Sequence, residues 1–171
     1  MSGVFLRPAK PTDAGKLGAM ITDAVQARDW KPVLWTAAQD VAHAGMLIDR
    51  GWVTVAEDAE HRVLGFLARE GEMVHSLFVT QAAQGHGVGL ALLNHAKACN
   101  ARLELWTFVA NHGARRFYKR EGFVEVERTD GSTNDERLPD IRFEWHALGV
   151  KSPAAGPVLN TQSHHSEEVP Q

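Results

Sequence analysis

The chain has 171 residues, 44% of them hydrophobic, a formal charge of −3 and a single cysteine. That length suits one domain with one core, the mild acidity argues against a basic surface for nucleic acid, and one cysteine excludes an internal disulfide framework and fits a reducing compartment. No stretch approaches the ~20 apolar residues of a membrane span, the first residues lack the apolar run of a signal peptide, and the expected location is the cytoplasm.

In chain order, Val4 to Arg7 predicts a short strand closed by Pro8. Asp13 is placed to cap a helix whose apolar stripe is Leu17, Met20, Ile21, Ala24 and Val25. Pro32 interrupts the chain. Thr36 and Gln39 have capping-box spacing and open a helix through Val41, Ala44, Leu47 and Ile48, which Gly51 ends. Three strands follow: Trp52 to Glu57, Arg62 to Arg69 and Met73 to Val79. Their short links predict antiparallel hairpins. After the glycine-rich residues 84–89, Val88, Leu92, Ala96 and Cys99 recur at helical spacing, so Cys99 is expected on a buried face and not as a nucleophile. Leu103 to Phe108 is the next strand, His112 to Glu121 a short helix with Gly122 as its stop, and Phe123 to Arg128 and Ile141 to His146 a final strand pair. From residue 149 to 171 Gly, Ser and Pro recur and apolar residues thin out, which predicts a disordered tail after a single domain at 1–148.

The most informative segment is Gln84-Gly85-His86-Gly87-Val88-Gly89, between an apolar strand and a helix. Strand, glycine turn and helix N-terminus form an anion site, because backbone N–H groups reach a phosphate unobstructed and the first helical turn leaves its donors unpaired. A plain tight turn is the alternative. A Walker loop is excluded, since no Lys-Ser/Thr follows the glycines. A dinucleotide fingerprint does not fit the mid-chain position or the Gly-x-Gly-x-Gly spacing from Gly85.

Gln84, Gly87 and Gly89 do fit Gln/Arg-x-x-Gly-x-Gly/Ala. Asn111-His-Gly-Ala114-Arg-Arg-Phe117-Tyr118, closed by Glu121-Gly122-Phe123, fits Asn-x-x-Ala-x-x-Phe-Tyr-x-x-x-Gly-Phe. In these two motifs, and in Leu6-Arg7-Pro8-Ala9 with Thr12-Asp13-Ala14, the chain resembles the GNAT N-acetyltransferase superfamily over roughly residues 4–147. The resemblance implies an α/β (α+β) fold with a mixed, mostly antiparallel sheet, splayed central strands and flanking helices. It implies acetyl-CoA as co-substrate with no metal, and direct attack by a primary amine in a ternary complex. Residues Leu77, Phe78 and Val79 match the strand that pairs with pantetheine, and the backbone of Gln84, Gly85, His86, Gly87, Val88 and Gly89 matches the pyrophosphate loop. Asn111, Ala114 and Phe117 belong to the cofactor side as well.

The chemistry needs a neutral amine, a polarised thioester carbonyl and a proton for the departing thiolate. Tyr118, the only tyrosine, offers a phenol for that proton; packing on the sheet is its other reading. Asn111 either bonds pantetheine or caps the next helix. His75 opens the fourth strand and is the candidate general base, with Glu104 or a water chain as rivals. His86 is expected to serve through its backbone.

The acceptor side is expected where the first two helices meet the last hairpin. Trp30, Trp35 and Trp52 there are candidates for a pocket wall or for core and dimer contacts. Asp130, Asp135, Glu136 and Asp140 either draw in a cationic amine or form a solvated acidic loop. The reading is an acetyl-CoA-dependent N-acetyltransferase acting on a small-molecule amine or a protein amine, with a homodimer left open and neither nucleic acid nor membrane as partner. A non-catalytic acyl-CoA sensor and a transferase for another acyl-CoA are the alternatives.

Overall fold

The computed structural model describes residues 3–148. The expected tail at 149–171 lies outside the described residues. Among them, seven strands form one sheet in the order β1-β2-β3-β4-β5-β7-β6, flanked by four α-helices. The strands are β1 Phe5–Pro8, β2 Val53–Glu57, β3 Val63–Glu70, β4 Met73–Val79, β5 Arg102–Phe108, β6 Val124–Thr129 and β7 Asp140–His146. The helices are α1 Ala14–Gln26, α2 Ala37–Asp49, α3 Val88–Cys99 and α4 His112–Arg120. All neighbouring strands run antiparallel except β4 and β5, which are parallel.

Local chemistry sets the helix ends. Thr36 Oγ1 accepts from Gln39 N–H at 3.1 Å and Gln39 Oε1 accepts from Thr36 N–H at 2.9 Å, so the capping box forms. At the other end of α2, Gly51 N–H donates to Ile48 C=O and Trp52 N–H to Leu47 C=O, the paired bonds of a Schellman stop. Asp13 departs from expectation. Its carboxylate turns back to accept from Lys10 N–H at 2.7 Å and from Arg7 at 2.8 and 3.0 Å, and makes no cap bond to α1. A nearby guanidinium offers the carboxylate stronger, charge-assisted bonds than the helix N–H groups do.

The two sheet faces carry separate cores. Beneath α1 and α2, Leu17, Ile21, Leu47, Val55 and Phe66 are buried, with Phe78 stacked on Phe66 at 5.3 Å. Beneath α3 and α4, Leu77, Leu92, Leu93, Leu103, Phe117, Tyr118 and Phe143 are buried. Truncating one such leucine to alanine typically costs ~2–5 kcal/mol through lost transfer energy and a residual cavity. Cys99 is exposed, contrary to the helical spacing. It is the last residue of α3, where the helical pattern no longer decides burial.

One strand breaks its own alternation. Ala68 of β3 stands opposite Ser76 and Arg69 opposite Val74, so His75 is an extra residue in β4. Val74 and Leu77 consequently share the α3–α4 core despite their odd spacing. Such a bulge redirects the side chains around it.

Candidate active site

Strands β4 and β5 meet over two register pairs only, Met73–Glu104 and Val74–Leu105. From Ser76 onward they have no register pair, while β5 continues on β7 as far as Phe108–Asp140. A wedge therefore opens from the middle of the sheet toward the end of β4. Its β4 wall is Leu77, Phe78 and Val79, all buried. Leu77 and Val79 belong to one core and Phe78 to the other, so the side chains are fixed and the strand edge is left to bind.

The wedge leads to the glycine loop. A short 3₁₀ turn at 81–83 follows β4, and Gln84 Nε2 donates back to Val79 C=O at 3.4 Å. Gly87 is the N-cap of α3 with φ +81° and ψ 8°, a left-handed conformation that side-chain-bearing residues rarely adopt. A Cβ at Gly87 would meet nothing within 4 Å, and no side chain caps the helix. The space above the first-turn donors of Val88, Gly89 and Leu90 is thus open, which suits an anion. Gly85 and His86 are exposed, whereas Val88 and Gly89 are buried at the start of the helix.

On the α3–α4 face, Ala114, Phe117 and Tyr118 form the buried side of α4. The Tyr118 ring packs edge-on against Phe117 at 5.2 Å and Phe123 at 5.4 Å, and it is 1% exposed. It is therefore a packing residue whatever else its hydroxyl does. Asn111 Oδ1 accepts from Ala114 N–H at 3.3 Å, so the capping role is filled. Thr107 of β5 was not among the sequence candidates. Its Oγ1 is buried with no hydrogen-bond partner among the described residues, on the strand that walls the wedge. Threonine is so common in strands that composition alone gave no signal for it.

On the other face, His75 stacks on Trp52 at 5.0 Å with an interplanar angle of 19°, and its Nε2 lies 3.1 Å from Glu70 Oε2. Glu104, the rival base, is instead held in an ion network. Arg102 binds Glu104, Glu144 and Glu72, and Arg142 binds Glu127 at 3.0 Å, Glu144 at 2.6 Å and Glu104 at 3.5 Å. Burial disfavours the charge on Glu144, but bonds from Arg102, His146 and Arg142 outweigh it and bring its carboxyl down to about 2. Glu144 so held is a poor proton acceptor.

The three tryptophans part company. Trp30 meets Phe108 edge-on at 5.8 Å, and Lys31 lies over the same ring at 5.5 Å, so the α1–α2 link touches the end of β5. Trp35 lines a cavity of about 210 Å³ between the end of α1 and the start of α2, together with Thr22, Val25, Leu34 and Asp40. Trp52 stands apart against His75. In the β6–β7 loop, Asp130 and Asp135 are exposed but Glu136 and Asp140 are buried. Burial raises the Asp140 carboxyl above its ordinary value, opposed by bonds from Thr129 and Asn134. Half of the acidic set is thus turned inward.

The sequence profile described as an acetyltransferase (GNAT) domain matches residues 49–125, the stretch from the end of α2 to the start of β6. An uncharacterized N-acetyltransferase of Methanocaldococcus jannaschii is 44% identical over 68 residues, covering 37% of this chain and only 30% of that protein. A probable N-acetyltransferase of Mycobacterium tuberculosis is 27% identical over 178 residues, covering 91% of this chain and 92% of that protein. Residues 49–125 of the chain thus match the GNAT acetyltransferase domain. A solved structure, yncA, a putative acetyltransferase from Salmonella typhimurium with its cofactor acetyl-CoA, superposes with a TM-score of 0.64 at 19% identity, over 91% of this chain and all of that one. The profile match spans β4, the wedge, the glycine loop, β5 and α4. Among the described residues, β1, most of the α1–α2 layer, most of β6 and all of β7 lie outside it.

Proposed function

We propose that the protein transfers the acetyl group of acetyl-CoA to a primary amine by direct attack in a ternary complex. The observation that carries the reading is the wedge between β4 and β5 running into the uncapped, glycine-started helix α3. An extended arm with amides fits an open strand edge, and a pyrophosphate fits the helix N-terminus. The acetyl-CoA present with yncA supports the same assignment.

Acetyl-CoA supplies the activated acyl group as a thioester. Backbone N–H groups of Leu77 to Val79 supply donors for the carbonyl oxygen as it gains charge. His75 takes the proton from the amine, and Tyr118 gives one to the departing thiolate. Asn111 caps α4, and Ala114 and Phe117 pack its buried side, which also carries Tyr118. The acceptor enters from the face bearing His75, Trp30 and the α1–α2 link.

Thiol release from acetyl-CoA, followed with a chromogenic disulfide against alkyl amines, aromatic amines and peptides with a free α-amine, tests the reading. Amine-dependent release together with an acetylated product of the expected mass is the outcome expected. CoA binding without release from any amine would favour a sensor, and turnover only with a longer acyl-CoA would reassign the donor.

A further inference from the structure

We infer that Glu70 is a positioning residue that sets the tautomer of His75 and leaves its Nδ1 as the proton-accepting atom. This rests on the acetyltransferase reading for its catalytic meaning, though not for its geometry. His75 Nε2 lies 3.1 Å from Glu70 Oε2. A carboxylate only accepts hydrogen bonds, so in the neutral ring the proton belongs on Nε2. Nδ1 then carries the lone pair. That atom is buried and has no hydrogen-bond partner among the described residues. A buried imidazole nitrogen without a partner is costly, and an amine N–H would be that partner once the surrounding side chains admit the acceptor during turnover.

Three features hold the pair in place. Glu70 ends β3 and is in register with Met73 across the tight β3–β4 turn, so both side chains rise from one hairpin. His75 is the bulge residue of β4, next to the point where β4 leaves β5. The Trp52 indole stacked on His75 fixes the ring plane. The Glu70 carboxylate is 60% exposed while His75 is 12% exposed, so Nε2 is the end that reaches the surface and Nδ1 the end that lies inside.

The charged surroundings are few. Arg50, at the end of α2, places its guanidinium over the same indole at 4.8 Å. On β5 and β7, Glu104 is tied to Arg102 and Arg142. The α1 charges Lys16 and Asp23 are exposed. Among the described residues, Glu70 is therefore the carboxylate bound to the His75 ring. It stabilises the imidazolium that forms as the amine proton arrives, and it fixes which nitrogen receives that proton.

The test reads tautomer and rate separately. In protein labelled with ¹⁵N-histidine, long-range ¹H–¹⁵N spectra distinguish the two ring nitrogens, and the signals missing from His75→Gln identify His75. The wild-type ring should carry its proton on Nε2. A ring protonated on Nδ1 overturns the proposal, whatever the enzyme does. With acetyl-CoA and the best amine of the panel, Glu70→Gln should keep the Nε2–H bond but lose the charge. Its kcat should fall about tenfold, less than the losses of up to ~10⁴ when a buried orienting carboxylate is lost. The acid limb of its kcat/KM profile should move to lower pH, because the imidazolium has lost its counter-charge. Glu70→Asp should recover part of both. CoA affinity and melting temperature should stay at wild-type values, since the glycine loop lies at the far end of β4. An acid limb unmoved in Glu70→Gln would overturn the positioning role even with the expected tautomer. Absence of thiol release in wild type would sink the acetyltransferase reading, and the tautomer spectrum would still decide whether Glu70 orients His75.

Discussion

Gly18 of α1 is in backbone contact with Val41 of α2: a Cβ on Gly18 would fall 2.5 Å from the Val41 Cα and 2.6 Å from its Cγ2. Carbon atoms pack at about 3.5–4.0 Å, so the helices meet here with no room for a methyl group. One turn further along α1, Thr22 Oγ1 donates to Asp40 Oδ2 at 2.7 Å. The pair covers the β2–β4 side of the sheet and suspends the link that touches Phe108, so its spacing would set one wall of the proposed acceptor side.

Gly18→Ala should therefore destabilise the protein. In an exposed helix interior the change gains about 1 kcal/mol. Here the overlap falls on backbone, which cannot rotate away, and overpacking typically costs ~1–3 kcal/mol. Urea denaturation should show a lower midpoint at unchanged slope. A raised midpoint would mean that α1 and α2 separate freely.

Gly87→Asp should separate folding from cofactor binding. The left-handed backbone at Gly87 costs a side-chain-bearing residue about 1–2 kcal/mol, and Asp tolerates it better than most. The new carboxylate sits in open space at the N-terminus of α3, where the helix dipole offsets part of that cost. It also stands where the proposed site puts the pyrophosphate. Calorimetry should report CoA affinity at least tenfold weaker, with a native far-ultraviolet circular dichroism spectrum. Wild-type affinity would remove the loop from the cofactor site.

Glu144 gives the protein an acid-sensitive element. Its carboxyl is lowered to about 2 by Arg102, His146 and Arg142 against the cost of burial, while in the unfolded chain it has its ordinary value. A depressed folded-state value means that the stabilisation is complete above the unfolded value and is lost as pH falls toward the folded one. Stability should therefore decline between about pH 5 and pH 2. Glu144→Gln should lose stability at pH 7, because two part-buried arginines lose a shared partner. It should also show a shallower decline in that acid range. Thermal melts from pH 7 to pH 2.5 measure both effects.

Much of this was legible in the sequence because it is local. The capping box at Thr36 and Gln39, the stop at Gly51 and the span Met73 to Val79 each follow from short-range bonding that the residues announce. What was not legible depends on partners distant in the chain. Residues 74–79 are apolar or small except for His75 itself and give no alternation, so the bulge at His75 left no trace in the pattern. That β7 inserts between β5 and β6 is a topological choice that a pair of adjacent strands does not encode. Asp13 reads as a cap until Arg7 is brought beside it. Cys99 reads as buried from its spacing, but it is the last residue of α3 and is exposed. The glycine loop was visible as a site because its chemistry is carried by backbone and spacing. The neighbours of His75 were invisible because Trp52 and Glu70 meet it only across strands.

Tyr118→Phe tests the proton donor. The substitution keeps the ring, and with it the contacts to Phe117, Phe123 and Phe143 that hold α4 on the sheet. Only the hydroxyl is lost, so the fold should be retained and CoA should bind within a few-fold of wild type. The chemical step should slow by about 10²–10⁴, the range for losing a general acid. If the bond to the sulfur is made mainly in the transition state, kcat and kcat/KM fall together. The penalty should shrink with an acyl donor whose thiol leaves as a more stable anion, because such a group needs no proton. A destabilised fold would give a different pattern: a lowered melting temperature, weakened CoA binding and no dependence on the leaving group. Single-turnover kinetics with acetyl-CoA separate the two, since they read chemistry without product release. A Tyr118→Phe enzyme with wild-type single-turnover rates would leave Tyr118 as a packing residue of α4, and the thiolate would then take its proton from water.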